Sequence, residues 1–307
     1  MNKAGKRSDC IGTYRKKVGL IYNPVAGDRG IRNKIDYIIE RYQKKGLQIV
    51  PYRMSGEAVD DAFRDITDNP GDYHSIIAAG GDGTVHRVVQ CMMDRKVKLP
   101  LGIIPAGTVN DFAQALGIPA DIEQCCDLLL GKIRSMVDVG RVGDRYFINT
   151  ASLGFFTDVP YKTKINYKNV LGRAAYYLKG IEELPHFRPI KMDIAYKGGV
   201  ISDQMLFVAV LNSNSVGGFN RAAPGAIVND GKFDVIALKF CNLAELLPML
   251  IKFLMGVHIS DPNIYYFQTE KLTIGCEGCS ATDLDGEAGP KPPLDIEVVP
   301  HALEVIA

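Results

Sequence analysis

The N-terminal part of the chain alternates between apolar runs and polar loops. Apolar runs at residues 18–22, 75–79 and 101–104 each lead into a loop that contains glycine. Apolar residues at helical spacing follow each loop, and the third helix is expected to stop near Gly117 and Pro119. Three units of strand, loop and helix predict a parallel sheet flanked by helices. Ligands of such sheets bind beyond the carboxyl ends of the strands, which is where all three loops fall.

The pattern changes to period two after about residue 140, which predicts a mainly antiparallel second half. Helical spacing interrupts this half at residues 171–183 and 243–255. The apolar segment 302–306 would either return to the first sheet or stay in the second half, and periodicity leaves both open. The period-two stretches are 191–196, 205–211, 233–238, 271–274 and 294–299.

These patterns divide the 307 residues into two domains of ordinary size. The basic leader at 1–15 has no apolar core of signal-peptide length, so the protein is expected in the cytoplasm. The α/β domain is expected at 16–140, with 301–307 added if the last segment joins its sheet. The β domain is expected at 141–300.

The composition is that of a packed globular protein, with 47% hydrophobic and 23% charged residues. The 36 basic and 35 acidic side chains nearly cancel, so no nucleic-acid partner is expected and any anion must be held locally. Seven scattered cysteines favour free thiols. The pair Cys276 and Cys279 is interpreted as incidental thiols, because a zinc site needs two further ligands.

The loop Gly80-Gly81-Asp82-Gly83-Thr84 has the chemistry of a phosphate site. Its glycines let backbone N–H groups approach a phosphate, and the following helix points its positive end at the same place. Asp82 would repel phosphate directly, which suggests a Mg²⁺ ion or water between them. The alternative is an ordinary turn in which Thr84 caps the helix.

Two further loops offer the same features more weakly. Residues 23–27 form an Asn-Pro turn with a glycine, a pattern that also arises by chance. Residues 107–111 place a hydroxyl, an amide and a carboxylate at a helix start, where Asn110 and Asp111 would alternatively act as caps. The GxxxxGKS/T, GxGxxG and protein-kinase signatures are absent, which excludes the familiar nucleotide-binding superfamilies.

Together with Leu284-Asp285-Gly286-Glu287, these loops resemble the diacylglycerol kinase catalytic-domain family, in particular its soluble bacterial members. The resemblance covers nearly the whole chain, although a GGDGT loop alone also occurs in NAD kinases and is similar to that of phosphofructokinases. It implies an N-terminal Rossmann-like or phosphofructokinase-like α/β nucleotide-binding domain and a C-terminal β-sandwich with helical insertions. It also implies an active site in the cleft between the two domains.

The resemblance further implies ATP as cosubstrate and Mg²⁺ as cofactor. By its motifs, Asp82, Asp111 and Asp138 organise Mg²⁺ through water. Glu287 corresponds to the general base, which takes the proton from a lipid hydroxyl. The implied ATP contacts are Asn23, Pro24, Val25, Ala26, Gly27, Gly81, Asp82, Gly83, Thr84, Val85, His86, Arg87 and Thr108.

Two turns of the second half keep two interpretations each. The acidic turn at 283–287 crowds three carboxylates, a setting that can raise one pKa, and it is alternatively a solvated turn between strands. The turn at 229–231 resembles a structural-metal loop in which Asp230 is joined by the backbone carbonyls of Ile227 and Lys232. It is equally consistent with a simple hairpin turn.

One departure from the resemblance concerns the residues after the GGDGT core. Many relatives carry an amide and then an acid there, whereas this chain has His86 and Arg87. We therefore expect the nucleotide contacts at these two positions to differ in detail.

The sequence thus predicts an ATP-dependent lipid kinase that acts on diacylglycerol or a related lipid alcohol, transiently at the inner face of the membrane. No apolar run reaches the roughly 20 residues of a membrane span, so such an enzyme would visit the bilayer surface. The apolar face of the helix at 243–255 would contact core, bilayer or partner, and core packing is favoured.

Several alternatives stay open at this level. Phosphatidylglycerol and sphingoid bases are further acceptors within the resemblance, and a homodimer is neither required nor excluded. A second hypothesis is an NAD-type kinase that acts on a soluble nucleotide. A third is a regulatory protein that senses a nucleotide without turnover.

Overall fold

A computed structural model describes residues 16–27, 30–55, 58–131, 133–154, 189–278 and 282–307. The predicted leader at 1–15 and the predicted helix at 171–183 lie outside the described residues. Within them, the chain forms a mixed α/β domain followed by a β-sandwich, which confirms the predicted fold class.

The N-terminal domain alternates strands and helices: β1 (Lys16–Tyr22), α1 (Ile31–Gln43), β2 (Leu47–Arg53), α2 (Ala58–Asp68), β3 (Tyr73–Gly80), α3 (Asp82–Asp94), β4 (Leu101–Pro105), α4 (Asp111–Ala115) and α5 (Ile122–Leu129). Its strands pair in parallel in the order β4-β3-β1-β2. The three predicted units are all present. The pattern did not show β2, which lies at the end of this order; its Pro51 and mixed burial suit an edge strand.

The C-terminal domain consists mainly of antiparallel strands: β5 (Ser135–Val142), β6 (Arg145–Phe147), β7 (Thr150–Gly154), β8 (Ile190–Tyr196), β9 (Gly199–Leu211), β10 (Phe233–Lys239), β11 (Ile264–Thr269), β12 (Lys271–Cys276), β13 (Thr282–Leu284), β14 (Glu287–Ala288) and β15 (Leu294–Val305). The period-two stretches coincide with β8, β9, β10, β12 and the start of β15. Their inward residues, such as Val208, Val235 and Ile274, form a second core.

The helix α6 (Leu243–Met255) has the predicted bounds. It begins at a capping box between Asn242 and Glu245, and it ends at Gly256 with a left-handed φ of 72°. Leu246 and Met249 are buried, so the apolar face is partly core as expected. No helix in the described part of the chain combines the length and apolar character needed to cross a bilayer.

Two long strands join the domains. β5 pairs with β15 in an antiparallel ladder, and each strand contributes residues to both cores. In β15, Ile296 belongs to the second core and Leu303 to the first. The strand ends by pairing in parallel with β4, where the N–H of Ile306 donates to the carbonyl of Leu101 at 2.9 Å. The apolar end of the chain therefore does return to the first sheet.

Among the described residues, the expectation of free thiols is wrong at Cys276. Cys91, Cys125, Cys126 and Cys241 are free, but Cys276 is disulfide-bonded. A cysteine count carries no information about which thiols a fold brings within bonding distance, so the argument from composition failed here.

Candidate functional site

The three predicted loops converge beyond the carboxyl ends of the parallel strands, and glycines make this possible. Gly27 has a φ of 50°, and an ideal Cβ there would lie 2.4 Å from the carbonyl oxygen of Ala106. A Cβ on Gly107 would lie 2.4 Å from Cα of Gly81. Because such distances leave no room for a side chain, the loops pack backbone against backbone.

The first loop, residues 23–27, is tied to the second by its own side chain. Nδ2 of Asn23 donates to Oγ1 of Thr84 at 3.4 Å, and Oδ1 of Asn23 accepts the N–H of Val25 at 3.1 Å. Pro24 and Ala26 are buried, whereas Val25 is exposed. The loop thus follows an Asx turn that fixes its backbone beside the start of α3.

The second loop, Gly80–Thr84, which we term the phosphate loop, leads directly into α3. The N-cap of α3 is Gly81, and no side chain caps the helix. Thr84 therefore does not have the capping role of the alternative interpretation. An uncapped helix start formed by glycine presents backbone N–H groups and the positive end of the helix dipole, which suits a phosphate.

The third loop is folded back on itself rather than capping α4. Asn110 has a φ of 57°, and no side chain caps this helix. Its amide bonds to both backbone groups of Gly107, at 2.8 Å and 3.0 Å. Thr108, at the tip of this loop, is exposed. These bonds to Gly107 define the shape of the loop.

Two of the three predicted magnesium carboxylates lie close together. Asp82 accepts the backbone N–H groups of Asn110 at 2.9 Å and Phe112 at 3.4 Å. Burial, and then the nearby charge of Asp111, raise the pKa of Asp82 to about 6. Two carboxylates this close together form a donor set that fits a hard divalent cation.

Asp111 also connects the two domains. It is buried, and its Oδ1 accepts the hydroxyl of Ser215 at 2.6 Å and the N–H of Gly218 at 3.0 Å. Both donors belong to the connection between β9 and β10 (212–232). The second domain therefore helps to orient a carboxylate of the first.

Asp138 has a structural use that the sequence did not indicate. It is fully buried, and its two oxygens accept the N–H groups of Gly231 and His301, each at 2.7 Å. These bonds fasten β5 to the turn at 229–231 and to β15. Its role in organising Mg²⁺ stays a prediction.

The predicted structural-metal loop is arranged as a turn. Oδ1 of Asp230 accepts the N–H of Lys232 at 3.0 Å, and Gly231 has a φ of 75°. Ile227 is exposed. The described residues contain no group of three or more His, Cys, Asp or Glu placed to hold a metal ion. A metal held mainly by carbonyls at Ile227, Asp230 and Lys232 stays a prediction.

The acidic turn at 283–287 joins β13 to β14 and faces the phosphate loop. Asp285 and Gly286 are both left-handed, with φ of 54° and 91°. This turn exposes Glu287, and an ideal Cβ on Gly83 would lie 3.7 Å from its Oε1. Burial is the main cause that raises the pKa of Asp283 to about 6, so the perturbed carboxyl in this crowded turn is Asp283.

A cavity of about 800 Å³ opens between the two domains at this place. Glu287, Gly83 and His86 line the cavity. Further lining residues come from the end of β2 to the start of α2 (Met54, Ser55 and Val59) and from the turn between β5 and β6 (Asp144 and Arg145). Sequence reasoning missed this second group. Recognising β2 would have placed its carboxyl end at the same sheet edge as the three loops.

The two residues that depart from the resemblance make different contacts. His86 is buried and reaches Asp285, with Nδ1 and Oδ2 2.9 Å apart. Arg87 stays on its own domain, where it bonds to Asp60 at 3.1 Å. Asp60 is shared with Arg95 at 2.8 Å. Of these two residues, His86 therefore bonds to the acidic turn and Arg87 does not.

Family models match both halves of the chain. Residues 17–142 match the diacylglycerol kinase catalytic domain, and residues 153–307 match the YegS C-terminal NAD kinase beta sandwich-like domain. The two matched segments together include the three loops of the first domain and the acidic turn.

Curated relatives and a solved structure agree with these matches. A diacylglycerol kinase of Bacillus subtilis (strain 168) is 36% identical over 277 residues, which cover 89% of this chain and 90% of the relative. A diacylglycerol kinase of Staphylococcus saprophyticus is 34% identical over 293 residues, 95% of each protein. A crystal structure of a diacylglycerol kinase from Bacillus anthracis str. Sterne is 26% identical with a TM-score of 0.77, covering 95% of this chain and 96% of that one.

An α/β domain with converging phosphate-type loops, joined to a β-sandwich that presents a carboxylate to them, defines a two-domain kinase. Within that class, the sequence identity to the curated relatives and the share of each chain that they cover determine the family. The chain belongs to the diacylglycerol kinase family.

Proposed function

We propose that this chain is an ATP-dependent lipid kinase that transfers the γ-phosphate of ATP to the hydroxyl of diacylglycerol or a related lipid alcohol. The observation that carries the proposal is the approach of Glu287 to Gly83, whose ideal Cβ would lie 3.7 Å from Oε1. A carboxylate opposite a phosphate site is suited to accept the proton of an attacking hydroxyl. The relatives are themselves diacylglycerol kinases, which supports a lipid acceptor.

The chain's own residues would divide the work between the two domains. Backbone N–H groups of the phosphate loop bind the phosphates of ATP, residues 23–27 line the site beside them, and Thr108 closes the site from the third loop. Glu287 orients the acceptor hydroxyl and takes its proton. The β-sandwich covers the cavity, which keeps water away from the transferred group.

Asp82 and Asp111 would hold Mg²⁺ through water, because they are the crowded and partly buried carboxylates of the site. When bound, the ion supplies positive charge that offsets the charge on the phosphates. Asp111 needs a fixed orientation for this, and the bonds from Ser215 and Gly218 provide it.

The decisive experiment is phosphorylation of lipids in mixed micelles. Purified protein, Mg²⁺ and γ-labelled ATP are incubated with diacylglycerol, phosphatidylglycerol or sphingosine, and label is counted in the organic phase. We expect label on diacylglycerol and a loss of roughly 10²-fold or more in Glu287→Gln, since general-base catalysis contributes on that order. Glu270→Gln changes an exposed residue outside the cavity and serves as the matched control.

Other outcomes of the same assay would redirect the proposal. Label on phosphatidylglycerol or sphingosine alone would keep the lipid kinase but change its acceptor. Label on NAD or another soluble nucleotide would favour the NAD-type kinase. ATP binding without transfer to any acceptor, unaffected by Glu287→Gln, would favour a nucleotide sensor.

The exposed end of α6 is the surface that we propose to contact the lipid bilayer. Ile251, Leu254 and Met255 are 59%, 67% and 61% exposed, which is unusual for three neighbouring large apolar side chains. The same helix packs on the β9–β10 connection, where Phe253 meets Phe219 with ring centroids 4.9 Å apart. That connection orients Asp111, so α6 packs on an element that contacts the proposed site. Such contact is consistent with a cytoplasmic protein that visits the inner face of the membrane.

This contact is tested by sedimentation with vesicles. We expect Leu254→Glu with Met255→Glu to abolish binding to diacylglycerol-containing vesicles while activity on dispersed short-chain diacylglycerol persists. Val200→Glu changes an apolar side chain that is 70% exposed elsewhere on the β-sandwich and controls for added charge. Equal losses in both variants would contradict the assignment.

A further inference from the structure

A buried hydrogen bond between His86 and Asp285 crosses the cleft. Nδ1 of His86 lies 2.9 Å from Oδ2 of Asp285, and the two side chains are only 6% and 2% exposed. His86 lies on α3, three residues after Gly83. Asp285 lies in the acidic turn of the other domain, two residues before Glu287. The bond therefore joins the two elements that carry the phosphate loop and the proposed base.

Asp285 is also the residue that fastens the acidic turn to its own domain. Its Oδ2 accepts the N–H of Ile148 at 2.7 Å, and its Oδ1 accepts the N–H groups of Asn149 at 2.9 Å and Thr150 at 2.8 Å. Its own N–H donates to the carbonyl of Thr150 at 2.9 Å. An oxygen that already accepts an N–H is best completed by a second donor, so Nδ1–H of His86 is the fitting tautomer.

The His86–Asp285 hydrogen bond connects α3 to Glu287 through few residues. On one side of the bond, less than one helical turn separates His86 from Gly83. On the other side, two residues with left-handed backbones, Asp285 and Gly286, lead to Glu287. Few rotatable bonds separate the His86–Asp285 hydrogen bond from Gly83 or from Glu287. The distance from Glu287 to the phosphate loop therefore depends on this contact. It acts beside the bonds of Gln90 to Asp144 and Tyr146, at 3.2 Å and 2.9 Å, which also join α3 to the second domain.

We infer that His86 is a positioning residue, which acts through Asp285 to hold Glu287 at the correct distance from the phosphate loop. This inference rests on the proposed function. A displacement of about 1 Å between a base and its substrate costs up to roughly 10²-fold in rate. His86 also lines the cavity, so the experiment must separate a role in positioning from direct contact with ATP.

Three substitutions at His86 make this separation. Asn places an amide nitrogen where Nδ1 lies, Gln extends its amide to the region of Nε2, and Ala removes the donor. We expect kcat to fall roughly 10- to 100-fold in His86→Gln and His86→Ala, with KM for ATP nearly unchanged, and we expect His86→Asn to retain kcat within roughly threefold. A rise in KM for ATP at constant kcat would instead assign His86 to nucleotide binding and overturn the inference.

Hydrogen exchange provides a second readout that does not depend on turnover. In wild type and His86→Asn, the amides of residues 148–150 and 285–288 should be equally protected, whereas His86→Gln and His86→Ala should exchange faster there. Equal protection in all four proteins, or equal kcat in all four, would overturn the inference. If His86→Ala does not fold, the Asn and Gln variants decide alone, because both keep a polar side chain.

Failure of the proposed function gives a different result. A protein that labels no lipid, or whose Glu287→Gln variant keeps full activity, would refute the proposed kinase or its base. The exchange measurement would still show whether His86 holds the acidic turn. Loss of activity in Glu287→Gln together with unchanged kcat in His86→Gln would leave the function intact and refute only the inference about His86.

Discussion

The two sides of the cleft are built in different ways. On the N-terminal side, the loops are fixed by contacts within one domain, such as the close approach of Gly107 to Gly81. On the C-terminal side, the acidic turn and the β9–β10 connection are aligned by bonds that cross between domains, from His86 to Asp285 and from Ser215 to Asp111. The phosphate side is therefore preformed within one domain, whereas the acidic turn, although Asp285 fixes it to its own domain, depends on domain docking for its distance from the phosphate loop.

The largest effect is expected from Gly107→Ala, which disturbs the packing of the loops on the N-terminal side of the cleft. Its Cβ would lie 2.4 Å from Cα of Gly81, so the loops must separate. We expect a loss of about 1–3 kcal/mol in stability and roughly 10²-fold in activity, with weaker ATP binding in calorimetry. Gly71→Ala is the control, since a Cβ there would meet no atom within 4 Å and the residue lies outside the loops of the site. Normal ATP binding by Gly107→Ala would show that the loops are not rigid.

The second prediction compares one buried carboxyl on each side. Asp82 and Asp283 both have a pKa raised to about 6. In the unfolded chain a carboxyl titrates near 4, so between about pH 4 and 6 the folded protein binds more protons. The free energy of unfolding should therefore fall as pH rises through this window and stay lower above it.

Substitution and magnesium should distinguish these two carboxyls. We expect each of Asp82→Asn and Asp283→Asn to reduce the fall in the free energy of unfolding between pH 4 and pH 7.5 by about 1–3 kcal/mol. Denaturant unfolding at the two pH values measures this. Mg²⁺ should stabilise the wild type and Asp283→Asn but not Asp82→Asn, because only Asp82 belongs to the proposed metal site. Equal stabilisation of both variants by Mg²⁺ would remove Asp82 from that site.

A smaller effect is expected from Ser215→Ala, which weakens the contact between the two domains. The substitution removes one buried hydrogen bond to Asp111, while the bond from Gly218 remains. We expect about 1 kcal/mol of lost stability and a several-fold fall in kcat. Ser260→Ala removes an exposed hydroxyl that bonds only near its own turn, to Val257, and should leave both quantities unchanged. An unchanged kcat in Ser215→Ala would mean that Asp111 is oriented without the second domain.

The smallest effect is expected from Arg87→Ala. The ion pair with Asp60 is partly exposed, and Asp60 keeps its contact with Arg95, so the change in stability should stay below about 1 kcal/mol and vanish at high salt. Because Arg87 lines the cavity, KM for ATP should still rise a few-fold. Steady-state kinetics at two salt concentrations would check this, and a large loss of stability would contradict it.

The same contrast explains what the sequence could predict. The loops were recognisable because their chemistry lies in contiguous residues, and β1, β3 and β4 followed from apolar runs. The bonds that cross between the domains, from His86 to Asp285 and from Ser215 to Asp111, join residues 199 and 104 positions apart. No local sequence pattern indicates such pairs. The signal that did exist was the unusual His86, which the sequence showed as a departure but could not connect to Asp285.

The remaining misses have local physical causes. β2 was not predicted because Pro51 and the alternating exposure of its residues weaken the sequence pattern of an edge strand. Asp138 was assigned to magnesium by motif, whereas its burial and its bonds to Gly231 and His301 appear only in three dimensions. The disulfide at Cys276 was missed because neither the cysteine count nor the CxxC spacing shows which thiols a fold brings within bonding distance.

The ladder between β5 and β15 also governs the order in which the protein can fold during synthesis. Leu303, Val305 and Ile306 are buried in the core of the N-terminal domain, yet the ribosome adds them after the whole β-sandwich. N-terminal domains usually fold first as the chain emerges. Here the first core stays incomplete until the second domain has been translated, so both domains should complete their folding together and unfold in one cooperative transition.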